Sequence, residues 1–293
     1  MCALGAPPIV AAQLKRKPVG QRHVRGLGMA YQFDHDWDQE RARLGALEAV
    51  FDPCSQRCIR ALEPIPGWRC LEVGAGGGSM AEWLCSVVGP EGVVVATDLE
   101  TKFLSAIEAP NLEIREHNIV SDPLEIESFD LIHTRAVLDH LPEREAVLRK
   151  LVEALRPGGW LVVLGGDFST VCATELPADE AEFFDSGFAS VVDAARAVGF
   201  DPFYGRRLGT FLRATGLNDV SMEGTIFEWD ARHPLAQLYR LTFQRLEPLV
   251  LQAEKLTKDD LDRLVAMMAA DGFRGLSNSL FAARGRRSQP DKR

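Results

Sequence analysis

Long apolar runs are missing from this chain: none approaches the roughly 20 residues that a membrane-spanning helix needs, so no membrane partner is expected. Cys-x-x-Cys pairs are missing too. The six cysteines (Cys2, Cys54, Cys58, Cys70, Cys85 and Cys172) read as buried thiols rather than a disulfide frame, which favours a cytoplasmic protein. Metal-ligand spacing is also absent. His35 stands among Asp34, Asp36 and Asp38, but with no second ligand group this reads as a solvated helix entry, and no metal is expected. Internal repeats and low-complexity tracts do not occur. Charge is not evenly spread: Lys15, Arg16, Lys17, Arg22 and Arg25 lie in residues 1–28, which hold no acid, and residues 281–293 are basic as well. Since the whole chain carries −9, the stretch between is more acidic still. Such a body repels phosphates, so a nucleic-acid substrate is not expected.

What is present is ordinary for a globular protein with a large core, 46% hydrophobic and 26% charged over 293 residues. That length fits one elaborated domain, or two at most, and a monomer or homodimer. Residues 1–28, with Pro7, Pro8 and Pro18 and no sustained periodicity, read as a disordered basic tail without a secretory signal. Residues 29–66 read as an N-terminal helical cap, with Pro53 expected to divide it into two helices. The main domain is expected over 67–284, followed by a second short tail, 285–293.

Strand-like and helical segments alternate through that domain. Leu71 to Val73, Gly92 to Thr97, Leu112 to His117, Phe129 to Thr134 and Trp160 to Leu164 are the apolar, β-branched strand candidates, with helices at Met80 to Val88 and 142–155. Alternation of this kind predicts an α/β fold: a Rossmann-like, mostly parallel sheet with helices on both faces. Ligands of such sheets bind at the carboxyl ends of the strands, near the point where strand order reverses. After the fifth strand, residues 168–204 form an expected insertion with one helix, about Asp179 to Val198, whose inward stripe includes Phe183, Phe184 and Phe188. Helices over 208–215, 234–253 and 258–270 and strands over Val220 to Trp229 and Ser279 to Ala283 complete the prediction. Thr257 is the expected N-cap of the helix at 258.

The stretch around which the domain is organised is Cys70-Leu-Glu-Val-Gly-Ala-Gly-Gly-Gly-Ser79. Gly74, Gly76 and Gly78 make a strand-to-helix turn almost bare of side chains, so a ligand can lie against its backbone. Glu72 narrows the ligand. A pyrophosphate would be repelled by a carboxylate two residues before the first glycine, whereas a nucleoside with a positive charge and no phosphate would not. S-adenosylmethionine, with its ammonium and sulfonium, is such a ligand. Asp98 follows Gly78 by the spacing at which these folds set an acid against a ribose diol. Asn118, at the third strand end, either reads an adenine amino group or makes a turn, and Ile119 can offer its backbone amide to the ring.

Together with Ala96-Thr-Asp98, Glu116-His-Asn118, Ser128-Phe-Asp-Leu-Ile-His-Thr-Arg-Ala-Val-Leu-Asp-His-Leu-Pro142 and Leu155-Arg-Pro-Gly-Gly-Trp-Leu-Val-Val163, this loop resembles the small-molecule branch of the class I S-adenosylmethionine-dependent methyltransferases. The resemblance covers residues 69–164 motif by motif and 205–284 more loosely. It implies a seven-stranded sheet with one antiparallel strand, and S-adenosylmethionine as cofactor, held by Glu72, Gly74, Gly76, Gly78, Asp98, Leu99, Asn118, Ile119, Arg135 and Tyr31. Many relatives carry Asp where this chain has Asn118.

The fourth strand ends in Arg135-Ala-Val-Leu138 rather than in the Asn/Asp-Pro-Pro-Tyr turn of enzymes that methylate base or glutamine amino groups. Oxygen, amine and carbon acceptors remain. Arg135 either holds an anion, such as the methionine carboxylate, or pairs with a body carboxylate such as Asp167 or Asp139. Where a proton must leave the acceptor, the candidate bases are His140, Asp167, His133 and His35, of which His140 and Asp167 stand nearest the acceptor side. Trp37, Phe183, Phe184 and Phe188, on the cap and the insertion, are the expected walls for a hydrophobic small-molecule acceptor, with core packing as the alternative. A repurposed scaffold that catalyses a cyclisation or only binds a ligand keeps the same loop, and a nicotinamide oxidoreductase is disfavoured by Glu72.

Overall fold

The computed structural model describes residues 37–289. The expected tail at 1–28, and Tyr31, Phe33 and His35 in the cap, lie outside the described residues. The first helix, α1 (Glu40–Arg60), runs unbroken through Pro53, where two helices were expected. An interior proline costs a helix about 3 kcal/mol. Burial of Leu44, Val50, Phe51, Cys54, Cys58 and Ile59 along α1 outweighs that local penalty.

The alternating units follow: β1 (Arg69–Val73), α2 (Ser79–Val88), β2 (Val93–Asp98), β3 (Leu112–Glu116), β4 (Phe129–Arg135), α3 (Arg144–Ala154) and β5 (Leu155–Asp167). Next come β6 (Cys172–Ala173), α4 (Ala178–Ala197), α5 (Leu208–Ala214), β7 (Asn218–Thr225), β8 (Glu228–Asp230), α6 (Pro234–Gln252), α7 (Lys258–Met267), β9 (Arg274–Leu276) and β10 (Ser279–Arg286). Seven strands form the expected mixed sheet in the order β3-β2-β1-β4-β5-β10-β7. The first five are mutually parallel, and β10 is antiparallel to both its neighbours. Strand order reverses between β1 and β4, which marks the ligand end of the sheet.

Side-chain alternation sorts the sheet into two cores. Leu71 and Val73 point toward α3 and α5, into a cluster with Leu148, Leu151, Leu208 and Leu212. Cys70 points the other way, with Ile59, Met80 and Leu84 from α1 and α2. A third cluster joins α1, α4, α6 and α7, centred on Phe184, Phe188, Trp229 and Tyr239.

Four boundaries differ from the sequence reading. β5 begins at Leu155, ahead of the expected Trp160, because Pro157-Gly-Gly bulges within the strand instead of ending a loop. The stretch from Val220 to Trp229 divides between β7 in the main sheet and β8, which joins a small sheet of order β6-β9-β8 that the sequence did not announce. There Trp229 is buried against Phe273, so its burial is met outside the main sheet. α7 stops at Met267, three residues early, although Thr257 and Asp260 form its capping box. β10 runs to Arg286, past the expected domain end at 284, and Arg287 continues the pairing with Gly158 and Gly159.

Candidate functional site

The glycine loop is tied to the neighbouring strand by its own backbone. Gly74 and Ala75 both donate to the Thr97 carbonyl, at 2.8 and 3.0 Å. Gly74 (φ 70°), Gly76 (φ 56°) and Gly78 (φ 93°) take left-handed conformations that side chains disfavour. Gly76 N–H donates to Asp98 Oδ2 at 2.8 Å, and Asp98 Oδ1 accepts from Glu100 N–H at 3.2 Å. The carboxylate at the end of β2 is thus braced against the loop while staying half-buried, as is Leu99 beside it.

The cap helix closes over this loop. A Cβ added at Gly77 would overlap the carboxylate of Glu48, and one at Gly76 would press on Leu44, both from α1. Around the loop several buried polar atoms have no hydrogen-bond partner: Glu48 Oε1, Ser79 Oγ and Thr134 Oγ1. Thr134 is the register partner of Val73, the residue before the loop.

Glu72 is placed differently from expectation. It lies on the Cys70 face of β1, is 2% exposed, and its Oε2 is 2.6 Å from Nδ1 of His133, its register partner on β4. His133 Nε2 in turn lies 3.1 Å from Ser55 Oγ on α1, and both residues are fully buried. That pairing engages Oε2 and ties the carboxylate beneath the glycine loop to β4 and the cap helix. The same contacts remove His133 from the candidate bases. The sequence signal for this network was a histidine in the middle of an apolar strand, which must find partners when buried.

Arg135 pairs with neither Asp167 nor Asp139 but with Asp52 on α1, and its guanidinium stands 5.9 Å from the Phe51 ring. Asn118 makes a turn: its side-chain oxygen accepts from Val120 N–H at 3.0 Å, and its own N–H donates to Asp122 at 2.9 Å. Ile119 is buried in the core, and its carbonyl accepts from Lys150 Nζ at 2.7 Å.

The two first-choice bases part company. Asp167 accepts two bonds from Arg206 and two from Ser169, N–H and hydroxyl. Burial alone would raise its pKa, but the Arg206 and Ser169 donors outweigh burial and hold the carboxyl below the usual range. With its oxygens so occupied, Asp167 is a structural anchor. His140 sits in a short turn after β4, its ring 4.9 Å from Phe200, which meets Phe168 edge-on at 5.6 Å. Burial pushes the His140 pKa down; Asp139, with Oδ1 3.9 Å from Nε2, opposes, and Arg43 and Arg144 add to the fall. Near neutral pH the imidazole is unprotonated and able to take a proton.

The expected aromatic walls are mostly core. Phe184 is fully buried, 4.9 Å from Phe273, and Phe188 is 3% exposed, packed on Tyr239 and Phe243. Both turn into the lobe between α4, α6 and α7 because the helix stripe that carries them has its apolar partners there. Phe183 lies under Arg263 at 4.0 Å, and Trp37 under Arg245 at 5.8 Å. The aromatic pair that does stand at strand ends, Phe168 and Phe200, was not singled out, since neither belongs to a periodic stripe. Beside it a cleft of about 460 Å³ is lined by Arg144, Arg196, Phe200, Phe203 and Arg207, with Asp201 pairing Arg144 and Arg207. Among the described residues no group of three or more His, Cys, Asp or Glu is arranged to hold a metal, and no helix is long and apolar enough to cross a membrane.

Known proteins resemble this chain in sequence and in fold. Residues 71–163 match the methyltransferase domain family. The chain is 32% identical over 148 residues to Methyltransferase str2 of Strobilurus tenacellus, an overlap of 50% of this chain and 52% of that protein. With Methyltransferase str3 of the same organism it is 30% identical over 204 residues, 67% of this chain and 70% of that one. The chain thus spans about half the length of the first relative. The solved structure of Haemonchus contortus phosphoethanolamine N-methyltransferase 2, in complex with phosphomonomethylethanolamine and S-adenosylhomocysteine, aligns with a TM-score of 0.55 at 17% identity. It covers 89% of this chain and 61% of that chain, and the likeness is one of fold.

Proposed function

This chain belongs to the class I S-adenosylmethionine-dependent methyltransferases, and we propose that it transfers a methyl group from S-adenosylmethionine to an oxygen, nitrogen or carbon atom of a hydrophobic small molecule. The observation that carries the reading is the Asp98 carboxylate, held by Gly76 N–H at the end of β2 beside a side-chain-free turn. A carboxylate so fixed accepts from both hydroxyls of a ribose, and the bare turn admits a ligand to backbone distance.

The residues present fit that cofactor. Glycines in left-handed conformation form its cradle, and Glu48 Oε1, Ser79 Oγ and Thr134 Oγ1 are buried polar atoms in want of partners around it. When bound, S-adenosylmethionine supplies a methyl carbon already activated by its sulfonium. The chain's tasks are then to align the acceptor, keep water out and, for an acidic acceptor, move a proton.

In this reading Phe168 and Phe200 form the acceptor wall at the ends of β4 and β5, replacing Phe184 and Phe188 in that role. Residues 168–177 and 198–204, the two ends of the insertion, act as the lid, while α4 anchors it. His140, its ring tilted against Phe200, takes the acceptor's proton on its imidazole, and Asp139 stabilises the resulting cation. The acidic body supports a small molecule over a nucleic acid.

The test is transfer of labelled methyl from the cofactor to a panel of phenols, amines and carbon acids, with RNA and protein as controls. Labelling of hydrophobic small acceptors is expected. Labelling of the polymers alone would overturn the substrate class, and tight NADH binding without any transfer would overturn the reaction.

A further inference from the structure

We propose that the arginine-lined cleft beside Phe200 receives a carboxylate carried by the methyl acceptor, which makes the acceptor an aromatic or otherwise apolar acid; this rests on the acceptor wall assigned above. The cleft is built on the segment between α4 and α5, and backbone bonds pin that segment to both strand ends of the wall. Asp201 N–H donates to the Asp139 carbonyl at 2.8 Å, next to His140, and Phe168 N–H donates to the Pro202 carbonyl at 2.9 Å. Arg144 adds a third tie, donating to the Leu141 and Gly199 carbonyls. Phe200 belongs to both places: its ring meets His140, and it also lines the cleft.

Charge in the cleft runs against the rest of the chain. The net charge overall is −9, yet here Arg144, Arg196, Arg206 and Arg207 meet only two carboxylates, Asp167 and Asp201. Asp201 Oδ2 is shared by Arg144 and Arg207, and Asp167 is taken up by Arg206. Arg196, exposed in the last turn of α4, makes no hydrogen bond or ion pair with any of the described residues. Its guanidinium stands 6.0 Å from the Phe203 ring, and that of Arg206 stands 5.1 Å from the same ring. Two like charges drawn to one ring repel each other, and an anion bound beside them offsets the cost. A guanidinium whose N–H fork is unspent matches a carboxylate in both shape and charge. Phe200 and Phe203 offer apolar surface to the body that carries it. The acceptor wall thus ends in surplus positive charge, which a neutral acceptor would not use.

The experiment measures binding of aromatic acids and of their methyl esters to the whole chain, with and without S-adenosylhomocysteine. Benzoate, 4-hydroxybenzoate and 4-hydroxycinnamate are the probes, and the NMR signals of the arginine Nε–H groups report which guanidinium is engaged. The acids are expected to bind roughly tenfold more tightly than their esters, to shift the Arg196 and Arg207 signals, and to weaken as salt is raised. Replacing both residues, Arg196→Gln with Arg207→Gln, should remove most of the preference. Arg156→Gln, which removes the same kind of charge at the opposite end of the sheet, should keep it. Acids that bind no better than their esters overturn the proposal, as do shifts confined to other arginines. Inorganic phosphate that shifts the same signals while the acids hold no advantage also overturns it, since the cleft then takes a free anion and not part of an acceptor. If the acids are preferred and yet receive no methyl group from S-adenosylmethionine, the carboxylate site stands and the reading of function falls.

Discussion

Glu72 and His133 meet across the β1–β4 boundary, Oε2 to Nδ1 at 2.6 Å, at the one place where the order of the parallel strands reverses. The crevice that a reversal opens at the strand ends is thereby underpinned by a polar contact one layer below, and Ser55 extends it to the cap helix. Replacing His133 with Ala leaves the Glu72 carboxylate buried without its donor. A loss of about 1–3 kcal/mol in stability is expected. Chemical denaturation measures it, and a variant as stable as wild type would show that the contact contributes nothing to the fold.

Asp98→Ala should lower S-adenosylmethionine affinity by about 1.5–3 kcal/mol, the range for losing a charged hydrogen-bond partner. Its bond to Gly76 N–H is lost as well, so the loop loosens along with the ribose contact. Titration calorimetry reads the change, and an unaltered affinity removes Asp98 from the cofactor site.

Phe184→Ala and Phe200→Ala should separate core from pocket. The first empties a fully buried site and is expected to cost about 3–5 kcal/mol of stability, with the folded fraction retaining its specific activity. The second, at the strand ends, should raise the acceptor KM while cofactor affinity holds. Melting and turnover on both proteins check the pair; the reverse pattern would return Phe184 to the pocket wall.

The pH profile should carry the signature of His140. Burial, with help from Arg43 and Arg144, sets its pKa below the ordinary imidazole value of about 6.5. The base is therefore unprotonated at and above neutrality, and the rate lost to protonation appears only as pH falls below that value. His140→Ala should reduce turnover of phenolic acceptors and abolish this acid limb. Stability follows the same sign: a depressed folded pKa gives a contribution present above about 6.5 and lost as pH falls through the folded value. A profile with the same acid limb in His140→Ala assigns that proton to another group.

Much of the sheet was legible because β-branched and aliphatic runs at regular spacing leave few alternatives, and the positions of Gly74, Gly76, Gly78 and Asp98 relative to the strands followed from them. What pattern could not supply was direction. Glu72 reads as a ligand contact by its distance from the first glycine, but strand alternation turns it to the Cys70 face, where His133 waits from a segment 61 residues away. Arg135 was seen to need an anion; that the anion is Asp52 depends on α1 crossing the strand end, which only tertiary packing decides. Asp167 has the right position for a base, and Arg206 takes it out of use from 39 residues further on. The aromatic stripe of α4 was found, and core packing was the simpler of its two readings.

The unbroken course of α1 sets a rule for how this protein can change. Leu44, Glu48, Asp52 and Ser55 meet Gly76, Gly77, Arg135 and His133 from one rigid rod, so their registration is a property of the rod's length and phase. Each residue of an α-helix turns the chain by about 100°. An insertion or deletion of a single residue between Leu44 and Ser55 would leave one end seated and swing the other off its partners, whereas substitutions along the outer face shift nothing. Within this segment the lineage is therefore free to exchange letters and not to add or drop them, and a length polymorphism there should mark a copy of the chain that has lost its site.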